Sequence, residues 1–286
     1  MSLVVAGIED GHVTMVADSK VTYTRGGVAE GRSRNLYLSA LPKMVILRPD
    51  LVVGVTGDDP DRVVERLVTV RERLVDEVLE HLLGEADAEF VVAAISPARL
   101  WNVGGGHIDG PREAGRVWAG DLAAFEVFQT RMGDRGPDAL GLSFRMMSSM
   151  QFLTSFGVVP SVGGITMRVE GTQEGFFFIG DYMKVGPNRM EVTSVEVTDG
   201  DMTMMMSVPE GGDPAGYDFN IIPGTDPTRG AVALFIPQTG KGLVFSQDRP
   251  WEAVPMPART AEELAAAAAE VGVQLDVPPS PFGGRP

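Results

Sequence analysis

The chain of 286 residues contains no cysteine, which removes a disulfide framework, a thiolate metal site and a cysteine nucleophile together. Histidine is scarce as well. His12, His81 and His107 stand far apart, none with a second histidine or a carboxylate at zinc-ligand spacing, so no metal site of the His-rich kind and no cofactor is expected. No uncharged apolar run reaches eighteen residues, and the N-terminus lacks a basic-then-apolar leader pattern. A soluble, cytoplasmic protein with no membrane partner is the expectation. Positive charge is also short: 24 Lys and Arg against 39 Asp and Glu leave a net charge of −15. The field that neutralises phosphates is therefore absent overall, and no nucleic-acid partner is expected. Arg25, Arg32 and Arg34 form the one locally basic stretch and read as a solvated loop.

What is present is apolar material for a core, 44% of the residues, arranged in short runs separated by turn chemistry. Residues 2–8 and 12–17 flank Glu9-Asp10-Gly11 and read as a hairpin. Residues 43–47 and 51–56 make a second hairpin, after a polar segment at 24–33. Asp58-Asp59-Pro60 then offers a helix start. Val63, Val64, Leu67, Val70, Leu74, Val78 and Leu82 recur at helical spacing and predict one half-buried helix of about 24 residues.

Strands are expected at 90–95 and 99–103, turned by Gly104-Gly105-Gly106, a triplet with no following Lys-Ser/Thr to make it a phosphate loop. Helices are expected at 122–132 and 138–156, the latter with Met146, Met147 and Met150 as core filler. Further strands read at 163–169, 175–179, 192–198 and 202–208, with Asp199-Gly200 as a tight turn. Residues 209–229 read as a long loop, 231–237 and 242–246 as a last hairpin. A Pro-rich linker, an alanine-rich helix at 260–271 and an unstructured tail complete the chain. The pattern is that of one layered α+β domain, with two antiparallel sheets enclosing helices.

The opening hairpin, from Ser2 through Asp10-Gly11 to Ala17-Asp18-Ser19-Lys20, resembles that of proteasome β-type subunits and their bacterial relatives of the HslV peptidase type. Lys43-Met44-Val45-Ile46 ahead of Val55-Thr56-Gly57-Asp58 is similar to the family's lysine strand and the Gly-Asp entry to its first helix. The spacings from Ser2 to Asp18 and from Lys43 to Gly57 agree with the family pattern. Weaker similarity runs through Trp118-Ala119-Gly120-Asp121 and Val162-Gly163-Gly164. The resemblance implies a four-layer αββα sandwich of the N-terminal-nucleophile (Ntn) hydrolase type over residues 1–250, with a Pro/Ala-rich C-terminal extension over 251–286. It implies Ser2, Asp18, Lys43 and Gly57 as catalytic residues and Lys20 and Val55 as pocket residues. It further implies a ring-like oligomer of homologous subunits, a peptide or small amide substrate and, for unfolded protein substrates, an unfoldase partner.

The chemistry accounts for those residue types. A hydroxyl needs a base to become a nucleophile, and an N-terminal residue carries its own in an α-amine whose ordinary pKa is roughly 7.7 to 8.0. Loss of Met1 would give Ser2 both groups. Lys43 as a cation would favour the neutral amine, Asp18 would fix Lys43, and the Gly57 N–H would serve an oxyanion. The chain departs from the family in having serine for threonine and Gly120-Asp121 where Ser-Gly is common. Val159 and Val162 stand where an acid and a hydroxyl support the amine. The contrasting reading is a non-catalytic scaffold or binding protein of the same fold, which self-assembles with Met1 retained.

Overall fold

The computed structural model describes residues 2–20, 41–57, 59–133, 141–185, 191–198, 201–207, 217–226 and 228–278. The segment 24–33, the basic stretch Arg25, Arg32 and Arg34, Asp58, the Asp199-Gly200 turn and the end of the tail lie outside these. β1 (Leu3–Glu9) and β2 (His12–Asp18) form the first hairpin, β3 (Met44–Arg48) and β4 (Leu51–Gly57) the second. Two helices follow, α1 (Pro60–Val68) and α2 (Val75–Leu83). Next come β5 (Ala88–Ile95), β6 (Ala98–Gly104), β7 (His107–Arg112) and β8 (Gly115–Gly120). A second helix pair, α3 (Leu122–Gly133) and α4 (Leu142–Phe156), leads into β9 (Thr166–Thr172) and β10 (Gly175–Phe178). Two antiparallel sheets result, in the orders β10-β9-β2-β1-β8 and β3-β4-β5-β6-β7.

The two-residue alternation of strands sorts their side chains into layers. Val4, Ala6 and Ile8 of β1 share a cluster with Val52, Val91 and Ala93 of the other sheet. Leu3 and Val5 belong instead with Phe125, Phe128, Met146 and Met150 of α3 and α4. On the far side, Val53, Val55, Phe90 and Val92 pack with Val63, Val64 and Leu67 of α1 and with Val78 and Leu82 of α2. Helices thus cover the outer faces of two stacked sheets, which corrects the expectation that the sheets enclose the helices. The reason lies in the strands: runs such as 3–8 are apolar at every position, and a strand apolar on both faces needs cover on both.

The helix expected from Asp58 to Leu82 is broken. Arg48 donates to the carbonyls of Arg71 (3.1 Å) and Arg73 (2.5 Å), while the Glu77 carboxylate accepts from Leu74 N (3.1 Å) and opens α2. Leu74, counted in the apolar stripe, is 74% exposed. Asp59 holds the N-cap position of α1 with no side-chain cap bond, and Pro60 begins the first turn as expected. The Gly104–Gly106 stretch does turn a hairpin, into β7, a strand absent from the pattern reading. β7 lies at the sheet edge with mostly exposed residues, so no apolar alternation announced it.

The remaining strands are β11 (Asp181–Val185), β12 (Glu191–Thr198), β13 (Asp201–Ser207), β14 (Tyr217–Pro223), β15 (Val232–Ile236), β16 (Lys241–Phe245) and β17 (Val254–Pro257). β12 and β13 pair as a hairpin, and the others form a third sheet, β11-β14-β15-β16-β17. β14 falls in the segment read as a long loop and β17 in the stretch read as a Pro-rich linker, which corrects both expectations. Phe219 and Ile221 on β14 join the inter-sheet cluster together with Val232, Leu234 and Phe245. The opposite face is covered by α5 (Ala261–Glu270), whose Leu264 and Ala268 pack with Ile222, Ala233, Phe235 and Val244. Thr260 caps α5 by accepting from Glu263 N. No helix among the described residues is long and apolar enough to cross a membrane.

The two stacked sheets touch through a position with no side chain. A Cβ on Gly54 would lie 2.4 Å from Val4 Cγ1 and 3.1 Å from Met15 Sδ. Gly54→Ala is expected to cost about 1–3 kcal/mol by overpacking, read as a lower urea midpoint. Combined with Val4→Ala, it should cost less than the sum of the two single losses; additive losses would place the strain elsewhere.

Candidate active site

Four strand ends lie towards one end of the stacked sheets. Ser2 precedes β1, Asp18 closes β2, Lys43 precedes β3 and Gly57 closes β4. Hairpin register makes this so: Val4 pairs with Ala17, and Val55 N donates to Lys43 O (2.7 Å). An antiparallel hairpin puts its first and last residues side by side, and the sheet stacking then brings the two pairs together.

Asp18 is the centre of this convergence and has no exposed surface. Its Oδ1 accepts from Lys43 Nζ (2.9 Å) and from Leu3 N (3.0 Å). Its Oδ2 accepts from Lys20 N (3.2 Å) and Gly163 N (3.2 Å). A buried carboxylate with four donors has its lone pairs satisfied. Lys43 is 3% exposed, and burial pulls its ammonium below the ordinary lysine value, with Asp18 opposing the shift and the Lys20 cation adding to it. Ser2 is 4% exposed.

The other side of Ser2 is held by β8. Asp121 N donates to Ser2 O (2.8 Å), and Leu3 pairs with Gly120. A Cβ on Gly120 would fall 1.9 Å from Ser2 O, and its φ is +111°, so only glycine lets the strand approach that closely. Gly120 N donates in turn to Glu89 Oε2 (3.0 Å), a tie from β5 to β8. Asp121 caps α3 through Ala124 N on Oδ1 (3.1 Å), and Ser161 Oγ donates to Oδ2 (2.7 Å). The Ser161 hydroxyl, with the Ala124 N–H, holds the Asp121 carboxyl below the usual carboxylate value against a smaller opposing effect of burial. The bonds close a ring around the Ser2–Leu3 peptide: Leu3 to Asp18, Asp18 to Gly163, then through the chain to Ser161, Asp121 and back to Ser2.

Ser2, Asp18 and Lys43 are thus brought together, and Gly57 ends the strand that pairs beside Lys43. Lys20 anchors its ammonium on Pro160 O. Val55 has no exposed surface and belongs to the cluster beneath α1. Val159 and Val162 are buried against α3 and α4. Ser161 and Glu89 carried no signal of their own in the sequence; Ser161 lies two residues before Gly163, the one hint that it sits near Asp18. A cleft of about 240 Å³ opens at the other end of β1 and β2, lined by Glu9, His12, Ser143 and Glu170 among others. There Glu9 is occupied in capping α4 through Leu142 N (2.7 Å). Among the described residues no group of His, Asp or Glu could hold a metal ion.

No family model matches the sequence, and no curated protein matches it. Among solved structures, the chain is similar to eukaryotic HslV from Trypanosoma brucei at 15% identity and a TM-score of 0.45, over 60% of this chain and 99% of that one.

Breaking the buried pair from either side gives unequal results. Asp18→Asn leaves Lys43 buried beside a neutral amide and is expected to cost about 3–5 kcal/mol. Lys43→Met leaves Asp18 with three backbone N–H donors and should cost less, a ranking that urea denaturation checks. The native state also holds the Lys43 proton less tightly than the unfolded chain does, since its pKa is lowered. Its penalty is full below that lowered value and is relieved as pH rises towards the ordinary 10.5. The alkaline rise in urea midpoint that this produces should be missing in Lys43→Met.

Proposed function

We propose that the chain is a proteasome-like Ntn hydrolase with the four-layer αββα sandwich, cleaving amide bonds, peptide bonds foremost, through Ser2 after removal of Met1. The observation that supports this best is the shared Oδ1 of Asp18, which binds the buried Lys43 ammonium and the backbone N–H next to Ser2. A cation is thereby fixed beside the one residue that can carry both a hydroxyl and an α-amine.

In the proposed reaction the free Ser2 amine takes the hydroxyl proton as Oγ attacks the substrate carbonyl, and Gly57 N–H stabilises the oxyanion. Collapse of the tetrahedral species gives an acyl-Ser2 ester and passes the proton to the leaving amine. Water, activated by the same amine, then hydrolyses the ester. The Lys43 cation favours the neutral, basic form of the amine, and Asp18 keeps it in place. Homologous subunits in a ring and an unfoldase that delivers unfolded chains belong to this reading as partners. The buried Val159 and Val162 favour a second reading, a non-catalytic scaffold with Met1 retained, because they deprive the amine of the supports expected at those positions.

A β-lactone probe decides between the two. Incubated with protein whose N-terminal sequence starts at Ser2, it should add its mass once per chain, on Ser2. Ser2→Ala should take up none, and Lys43→Met should react at least about 100-fold more slowly, the scale of proton-transfer catalysis. Unmodified Ser2 in a folded protein lacking Met1 would leave the scaffold reading.

A further inference from the structure

Asp121 lies beside Ser2. Leu3 and Gly120 are the last pair of the β1–β8 register, and just beyond it the Asp121 N–H donates to Ser2 O (2.8 Å). Backbones joined by such a bond run about 5 Å apart, inside the roughly 8–10 Å over which charges act at ordinary salt. The Asp121 carboxylate is therefore within electrostatic reach of whatever charge the amine of residue 2 bears. It is also pinned, by Ala124 N on one oxygen and Ser161 Oγ on the other.

We propose that Asp121, oriented by Ser161, is the positioning residue for the Ser2 α-amine and sets its basicity in opposition to Lys43. This inference rests on the reading of Ser2 as a free N-terminal residue. An anion opposite the amine stabilises the ammonium and raises its pKa, whereas the Lys43 cation lowers it. The groups that face the amine are then Lys43 ahead of β3, Asp18 and Lys20 at the end of β2, Asp121 after β8 and Glu89 on β5 through Gly120 N. Asp18 is matched by Lys43, whereas Asp121 and Glu89 are held by neutral donors, and of these two Asp121 is the one bonded directly to Ser2. It replaces, from the other side of Ser2, the polar support that Val159 and Val162 do not supply.

A purely structural explanation exists, since Asp121 also caps α3, and the test separates the two. Asn and Ser are N-cap residues as good as Asp, so Asp121→Asn and Asp121→Ser keep the cap and remove the charge, while Asp121→Glu keeps the charge. In protein beginning at Ser2, the titration midpoint of the α-amine is read from its rate of acetylation by acetic anhydride across pH, quantified on the N-terminal peptide. This readout needs no hydrolysis, so it stands or falls apart from the β-lactone result. Both neutral variants should lower the midpoint by about one pH unit, with Asp121→Glu closer to wild type. Midpoints unchanged in folded Asn and Ser variants would overturn the proposal and leave Asp121 as a helix cap. Should one neutral variant fail to fold, the other decides alone.

Discussion

One buried carboxylate organises this end of the molecule. Asp18 joins the start of β1, the end of β2, the residue ahead of β3 and the loop before β9, each through one donor. Removal of a carboxylate from water is expensive, and the expense is met here only because all four donors arrive together. The apolar layers bring them: Leu3 and Val5 point towards α3 and α4, Val4 and Ala6 into the sheet interface, and the backbone between them is left with no freedom to drift. The site is a consequence of how two double-sided strands are buried.

That arrangement also explains which parts were legible in the sequence. Asp18 and Lys43 were singled out by the family resemblance; what turn chemistry made readable is the two hairpins that carry them, through Asp10-Gly11 and the 48–50 turn. The long helix was misread because periodicity registers apolar positions and not the guanidinium of Arg48, which takes the carbonyls of Arg71 and Arg73 from a strand distant in sequence. Leu74 fitted the stripe by count and lies in solvent. β14 was lost in a Gly- and Pro-rich stretch although Phe219 and Ile221 alternate into the core. Val55 was assigned by resemblance alone, and the pleat places its side chain under α1. Ser161 and Asp121 are forty positions apart, and no local pattern joins them.

The two charges around Ser2 act in opposite senses, and their placement differs in kind. Lys43 is buried with its partner, so its charge is matched within 3 Å and its influence at Ser2 is that of a dipole as much as of a cation. Asp121 is matched by a hydroxyl and an N–H, neutral donors that hold it ionised without cancelling its charge. A neutralised cation and an unneutralised anion would leave the amine more basic than Lys43 alone suggests.

Serine in place of threonine is the departure at position 2 itself, and its size can be bounded. Threonine's methyl restricts χ1, whereas serine samples up to three staggered wells. Restricting three equal wells to one costs RT ln 3, about 0.6 kcal/mol, a factor of about three in rate. A backbone displaced by an ångström would cost far more, on the order of a hundredfold. Here the backbone is held on both sides, at Ser2 O by Asp121 and at Leu3 N by Asp18, so χ1 is the freedom that the substitution returns. The loss is small beside what the ring of hydrogen bonds preserves.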